Sequence, residues 1–176
     1  FFMHINARSL IKNIDNIITQ LSLLTNKPSI IAISETWALT DSDNLPIPGY
    51  TNIQKARKDK IGGGVGLYLQ DKINLKYKLR PDLSISDNSD SLFIQITNTK
   101  HKNIIIGVIY KPPDADVQKF NEKLEQTLKT TAKEHRPCYI MGDFNIKLLK
   151  QDRHIPTKNF LDMLLAYGFY PLINKP

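Results

Sequence analysis

Apolar positions along this chain recur with two alternating periods, and each change of period marks an element. MHINA (3–7) reads as a short strand. After it Leu10, Ile14, Ile17, Ile18, Leu21 and Leu24 fall at helical spacing, with Ser9 placed to cap the helix and Asn26 and Pro28 to end it. SIIAIS (29–34) is an apolar run short enough for a buried strand. Residues 38–49 are polar and hold Pro46, Pro48 and Gly49, which predicts a loop. YTNIQK (50–55) and GVGLYLQ (64–70) flank a basic, glycine-rich connection and predict a hairpin. INLKYKL (73–79) and SLFIQIT (91–97) alternate, and KNIIIGVIY (102–110) is more fully apolar. The last two should pair across a turn at Asn98–Lys100. Pro112 and Pro113 stop that strand. Asp114 or Asp116 then caps a helix carrying Val117, Phe120, Leu124 and Leu128 on one face. CYIMG (138–142) predicts another buried strand. A last helix is expected over 157–167, capped by Thr157, with Phe160, Leu161, Leu164 and Leu165 inward and its end at Gly168.

Strand–helix–strand units stand beside a run of antiparallel strands, which predicts a layered α/β fold. Two sheets packed face to face, with helices outside, hold this many strands better than one open sheet. The 176 residues suffice for one domain with a real core. No apolar run approaches the length of a membrane span, so none is expected. FFMHIN is too short and lacks a basic region, so it is not read as a signal peptide.

Composition changes the picture only through charge. Lys and Arg number 24 against 17 Asp and Glu, a net charge of +7, which favours a polyanionic partner such as nucleic acid or an acidic membrane surface. The one cysteine, Cys138, excludes an internal disulfide and lies in an apolar strand pattern that predicts a buried, inert thiol.

The candidate chemistry lies where strands end. The first strand carries Asn6 near its end. The second delivers Glu35, the NIIIGVIY strand ends at Tyr110, and YIMGDFN ends with Asp143 and Asn145. Polar groups at the ends of neighbouring strands gather on one sheet edge, where layered α/β folds place their sites. Each has an ordinary reading too: Glu35 as a solvated loop residue, Asn6 and Asp143 as turn formers, Tyr110 as a wedge. Taken together, they suit metal-assisted phosphodiester hydrolysis. A carboxylate and amide or water oxygens suit Mg²⁺, a second carboxylate orients or deprotonates water, and a phenol and amides donate to phosphate.

HINARSL, SETW (34–37), GGGVGLY (62–68), IYKPP (109–113) and MGDFN (141–145) stand in the order and spacing of the endonuclease/exonuclease/phosphatase superfamily. More narrowly, the chain resembles the apurinic-type endonuclease domain of non-LTR (LINE-type) retrotransposons over essentially its whole length. The resemblance implies a four-layer α/β/β/α sandwich, DNase I-like, in a single domain over 1–176. By position it implies Glu35 as metal ligand and Asn6 as the first-strand asparagine near metal and phosphate. It implies Tyr110 against the scissile phosphate, Asp143 orienting the attacking water, and Asn145 on the phosphate. The implied cofactor is Mg²⁺, with Mn²⁺ as substitute. The family pattern closes with a Ser-Asp-His motif on a late strand, and none of His4, His101, His135 or His154 lies in such a motif. The domain is therefore expected to be truncated before its last strands.

Two basic groups are candidates for the phosphate backbone: Arg57, Lys58 and Lys60 beside the glycines, and Lys147, Lys150 and Arg153 after GDFN. The expected function is DNA nicking for a retroelement. DNA is the expected partner, with a downstream reverse transcriptase region, in a monomeric, non-membrane, intracellular domain that acts in the nucleus. Another phosphoesterase of the superfamily (repair nuclease, deadenylase, or inositol or lipid phosphatase) and a partial, non-catalytic nucleic-acid-binding relic are the alternatives.

Overall fold

A computed structural model describes residues 1–43, 45–57, 62–85, 88–97 and 102–173, apart from the side chains of Lys150 and Gln151. Strand β1 (Phe2–Asn6) leads through helix α1 (Leu10–Leu23) to β2 (Ile30–Ser34). The hairpin β3 (Tyr50–Lys55) and β4 (Val65–Gln70) follows, then β5 (Lys76–Leu79), β6 (Asp90–Thr97) and β7 (Ile104–Tyr110). Helix α2 (Val117–Lys133), β8 (Cys138–Asp143) and α3 (Ile155–Ala166) complete the order. Among the described residues no helix is long and apolar enough to cross a membrane.

The strands form two four-stranded sheets, β1-β2-β4-β3 and β5-β6-β7-β8. One strand pair in each sheet is parallel: β1 with β2, joined by α1, and β7 with β8, joined by α2. The other pairs are antiparallel. Side chains alternate between faces along each strand, so each sheet has an inner and an outer apolar set. The inner sets meet between the sheets, with Ile30, Ala32, Leu67, Leu92, Ile94, Ile106 and Val108 buried there. The outer face of the first sheet takes Leu10, Ile17 and Leu21 of α1 against Ile31, Ile33 and Tyr68. The outer face of the second takes Phe120, Leu124 and Leu128 of α2 and Phe160 of α3 against Phe93, Ile105 and Ile109. The result is the expected α/β/β/α layering.

Local expectations were met unevenly. Asp116 caps α2 as expected, its side chain accepting from the backbone N–H groups of Gln118 (2.7 Å) and Lys119 (3.0 Å). Gly168 turns the chain after α3 with φ +76°, and Phe169 N–H closes the end on Leu164 O at 2.8 Å.

Five details differ. Strand β8, expected to be buried, has no fully buried residue because it is the outer strand of its sheet. Leu165, expected inward on α3, is exposed. Ser9 makes no side-chain cap: it sits at φ +80°, and its own N–H and that of Leu10 donate to the carbonyls of Glu35 (2.9 Å) and Thr36 (3.0 Å). The loop after β2 thus satisfies the start of α1. Helix α3 begins before Thr157, which is buried inside its first turn and lies 2.9 Å from His154 Nδ1. Pro156 suits that first turn because its missing N–H would have had no partner there. The strand expected over 73–79 is shorter, because Asp71–Ile73 forms a 3-10 turn closed by Asn74 at φ +48°. All four residues of β5 are exposed at the sheet edge, so the alternation there did not report burial.

Candidate active site

Parallel neighbours joined by a crossover helix must end on the same side of the sheet. Asn6 lies opposite Ser34, one residue before Glu35, in the β1–β2 register. Tyr110 lies opposite Asp143 in the β7–β8 register. Two strand–helix–strand units, one per sheet, therefore bring four polar strand ends to one edge. Across the interface β1 faces β8, as Phe2 against Tyr139 (5.3 Å, edge to face) shows lower down.

Asn6 is the junction. Its Nδ2 donates to Glu35 Oε1 at 2.8 Å and to Asp143 Oδ2 at 2.7 Å, tying the two sheets through two carboxylates. Its Oδ1 accepts from the Arg8 backbone N–H at 3.2 Å. The other oxygen of Asp143, Oδ1, accepts from the Asn145 backbone N–H at 3.1 Å, and Asn145 Nδ2 donates to Lys111 O at 2.8 Å. Asp143 and Asn145 are thus held in one turn, braced by Lys111 N–H on Asp143 O at 2.9 Å.

Gly142 makes the strand end possible. A side chain there would run into the backbone of Ile109 on β7.

Tyr110 is mostly buried, and its phenol is pushed up to about 12 by burial first and then by the Glu35 charge. Arg57 pulls the other way, Asp143 adds to the rise, and a hydrogen bond to Glu35 adds least. The phenol therefore stays a proton donor throughout the physiological range.

The backbone at this edge is unusual. Of eight described non-glycine residues with positive φ, Arg8, Ser9, Glu35, Trp37 and Asn145 lie here. Such conformations cost energy and persist only where the surroundings enforce them, which is common at functional sites.

Three neighbours carried little sequence signal. His4, two positions before Asn6 on the same inner face, has Nε2 3.1 Å from Ser34 Oγ. Burial lowers its pKa, opposed by Asp143. Lys111 is fully buried with Nζ donating to Pro112 O at 3.0 Å. Burial lowers its pKa against the pull of Asp114, Asp116 and Asp143. Asp90, opposite Tyr110 on β6, pairs with Arg57. A lysine in an apolar run and an aspartate at a strand start are each ordinary in sequence.

Of the basic candidates, Arg57 is turned inward. Its side chain is 15% exposed and bound to Asp90. Lys147 and Arg153 are exposed at the two ends of the 3-10 segment after Asn145. Lys58, Lys60 and the Lys150 side chain lie outside the described residues, as does His101. Trp37 is half-buried, with Lys12 Nζ 6.0 Å from its ring centre.

The donor chemistry suits a hard divalent cation. Two carboxylates share one neutral amide donor, and both offer hard oxygen atoms. Among the described residues no three His, Cys, Asp or Glu side chains gather as a ligand set. Glu35 and Asp143 are the carboxylates that could hold such an ion, and a site with so few protein ligands would leave room for the waters that Mg²⁺ keeps.

The sequence profile of the endonuclease/exonuclease/phosphatase family matches residues 3–174. The chain belongs to this family. No match was found among curated protein sequences. Among solved structures, the fold is similar to the endonuclease domain of TRAS1, a telomere-specific non-LTR retrotransposon. The TM-score is 0.68 at 16% identity, covering 98% of this chain and 72% of that one. It is also similar to the AP endonuclease LMAP from Leishmania major, with TM-score 0.67, 15% identity, and 95% and 66% coverage. The 3'-5' exonuclease NExo from Neisseria meningitidis gives TM-score 0.57, 20% identity, and 94% and 70% coverage. At these identities the likeness concerns the fold.

Proposed function

We propose that this chain is the DNA-nicking endonuclease domain of a non-LTR retrotransposon and hydrolyses phosphodiesters with Mg²⁺. The observation that carries the reading is the Asn6 amide bridging Glu35 and Asp143 across two sheets, with the Tyr110 phenol facing the same carboxylates. When bound, Mg²⁺ would supply charge stabilisation at the phosphate and leaving oxygens. Asp143 takes a proton from the attacking water or orients it, and the water oxygen displaces one ester oxygen at phosphorus. Tyr110 donates to a phosphate oxygen. Asn145, with one amide hydrogen on Lys111 O, has a second to offer the phosphate. Lys147 and Arg153 are exposed just beyond this turn and would meet the flanking backbone of DNA, for which the net charge of +7 is favourable.

The test is conversion of supercoiled to nicked plasmid with Mg²⁺, with EDTA and Asp143→Asn as controls. Abasic DNA, polyadenylate and inositol phosphates run beside it. Nicking of plasmid in preference to the others supports the retroelement reading; preference for another substrate moves the chain to a different branch of the same family. Absence of cleavage on all substrates, with nucleic acid still bound, would leave a binding relic.

A further inference from the structure

We infer that Arg57 is a positioning residue for Tyr110, held over its ring by Asp90, rather than a contact to nucleic acid. The inference rests on the phosphodiesterase reading only in assigning Tyr110 to the phosphate.

The geometry has four independent parts. Asp90 lies directly opposite Tyr110 in the antiparallel β6–β7 register. Arg57, just after β3 of the other sheet, reaches across with Nη2 2.8 Å from Asp90 Oδ2 and donates from Nε to Asp90 Oδ1 at 3.1 Å. This two-point grip fixes the plane of the guanidinium, which a single contact would not. The pair is largely out of water, with side chains 15% and 12% exposed. The guanidinium carbon then lies 5.6 Å from the Tyr110 ring centre, within cation–π range.

The glycine-rich segment is shaped to this pair. Gly64 N–H donates to Asp90 Oδ2 at 2.8 Å. A side chain on Gly63, at φ +73°, would lie 2.5 Å from that carboxylate and 2.7 Å from the guanidinium. The same two glycines accept through their carbonyls from Trp37 N–H (2.9 Å) and Thr36 N–H (3.3 Å) of the Glu35 loop. One clamp therefore locks the loop that carries Glu35 to the strand that carries Tyr110. A solvated hairpin tip would need neither a doubly bonded arginine nor glycines with this clearance. The exposed cations Lys147 and Arg153 have the access that phosphate contact requires; Arg57 does not.

The test uses the chain labelled with 3-fluorotyrosine, with the Tyr110 fluorine resonance assigned by Tyr110→Phe. Arg57→Met and Asp90→Asn should move that resonance in the same direction, and Arg57→Lys should recover part of the shift. Asp90→Asn keeps an acceptor for Gly64 N–H, so it tests the ion pair even if Arg57→Met fails to fold. An unmoved Tyr110 resonance in folded Asp90→Asn overturns the inference.

In plasmid nicking, Arg57→Met should lower kcat about tenfold with KM little changed, and less than about twofold when Tyr110 is already Phe. Equal losses in both backgrounds would mean a purely structural role and overturn it. A fall of about 0.9 in the slope of log affinity against log salt would mean a phosphate contact and also overturn it. If the parent chain cleaves nothing, the proposed function fails, and the fluorine resonance still decides whether Arg57 and Asp90 set Tyr110.

Discussion

Asn6 bridges two carboxylates with one amide group, and the roles of Glu35 and Asp143 can be separated on that basis. Glu35→Gln keeps the shape and an oxygen for Asn6 Nδ2 but removes the charge a divalent ion needs. It should weaken Mg²⁺ activation in a metal titration of nicking while leaving the thermal melt intact; an unchanged activation constant would remove Glu35 from the role. Asp143→Asn keeps the turn with Asn145 but cannot take a proton, so turnover should fall by about a hundredfold or more. DNA affinity by fluorescence anisotropy should hold or rise, since a negative charge near phosphate is lost. Cys138 is a control of another kind. Its thiol is pushed up to about 12, chiefly by burial and then by the Glu134 charge. Iodoacetamide at pH 8 should modify it about a hundredfold or more slowly than in the urea-unfolded chain. The sign for stability follows: above about 9 the unfolded thiol loses its proton while the folded one keeps it. The thiol's contribution therefore falls as pH rises from about 9 towards about 12.

At the level of elements, the site depends on where β7 and β8 stop. Gly142 lets β8 run close beside Ile109 and still deliver Asp143 opposite Tyr110. Gly142→Ala should cost about 1–3 kcal/mol by forcing the strands apart. The lower half of that range is expected for Gly168→Ala, where φ is also positive but nothing lies in the way. Urea unfolding of the two variants, with nicking measured on each, checks this. Gly142→Ala should lose activity beyond its loss of stability, because Asp143 moves with the strand. Both crossover units were legible in sequence, since apolar runs of five or six residues alternated with helical spacing. The cap of α1 was not, because it is made by backbone carbonyls of the Glu35 loop and leaves no side-chain signature.

Across the whole molecule, β1 and β8 are outer strands on the same side of the two sheets. Among the described residues no strand pairs with their free edges, and Phe1 next to β1 and Tyr139 on β8 are exposed. An open edge beside apolar side chains invites association. Light scattering should rise with protein concentration, and Tyr139→Lys should reduce it, since a charge on an edge strand opposes pairing. Charge acts over longer range. With a net +7, affinity for plasmid DNA should fall steeply between 50 and 200 mM salt, with Lys147→Ala and Arg153→Ala each flattening the slope.

Sequence alone determined the elements, the layered fold class and the residue types at four strand ends, because periodicity and chain punctuation are local properties. It also placed Asp143 and Asn145 at one strand end, since they lie two residues apart. Tertiary structure decided which strand ends meet. Asn6 and Asp143 are separated by 137 positions and touch only because two parallel crossovers end at the same edge and the sheets pack face to face. It also decided the fate of Arg57. Among lysines and glycines the residue reads as a hairpin cation, and only the β6–β7 register, which sets Asp90 beside Tyr110, turns its charge inward. A charged side chain goes where a fixed partner awaits it, and that partner is 33 residues away.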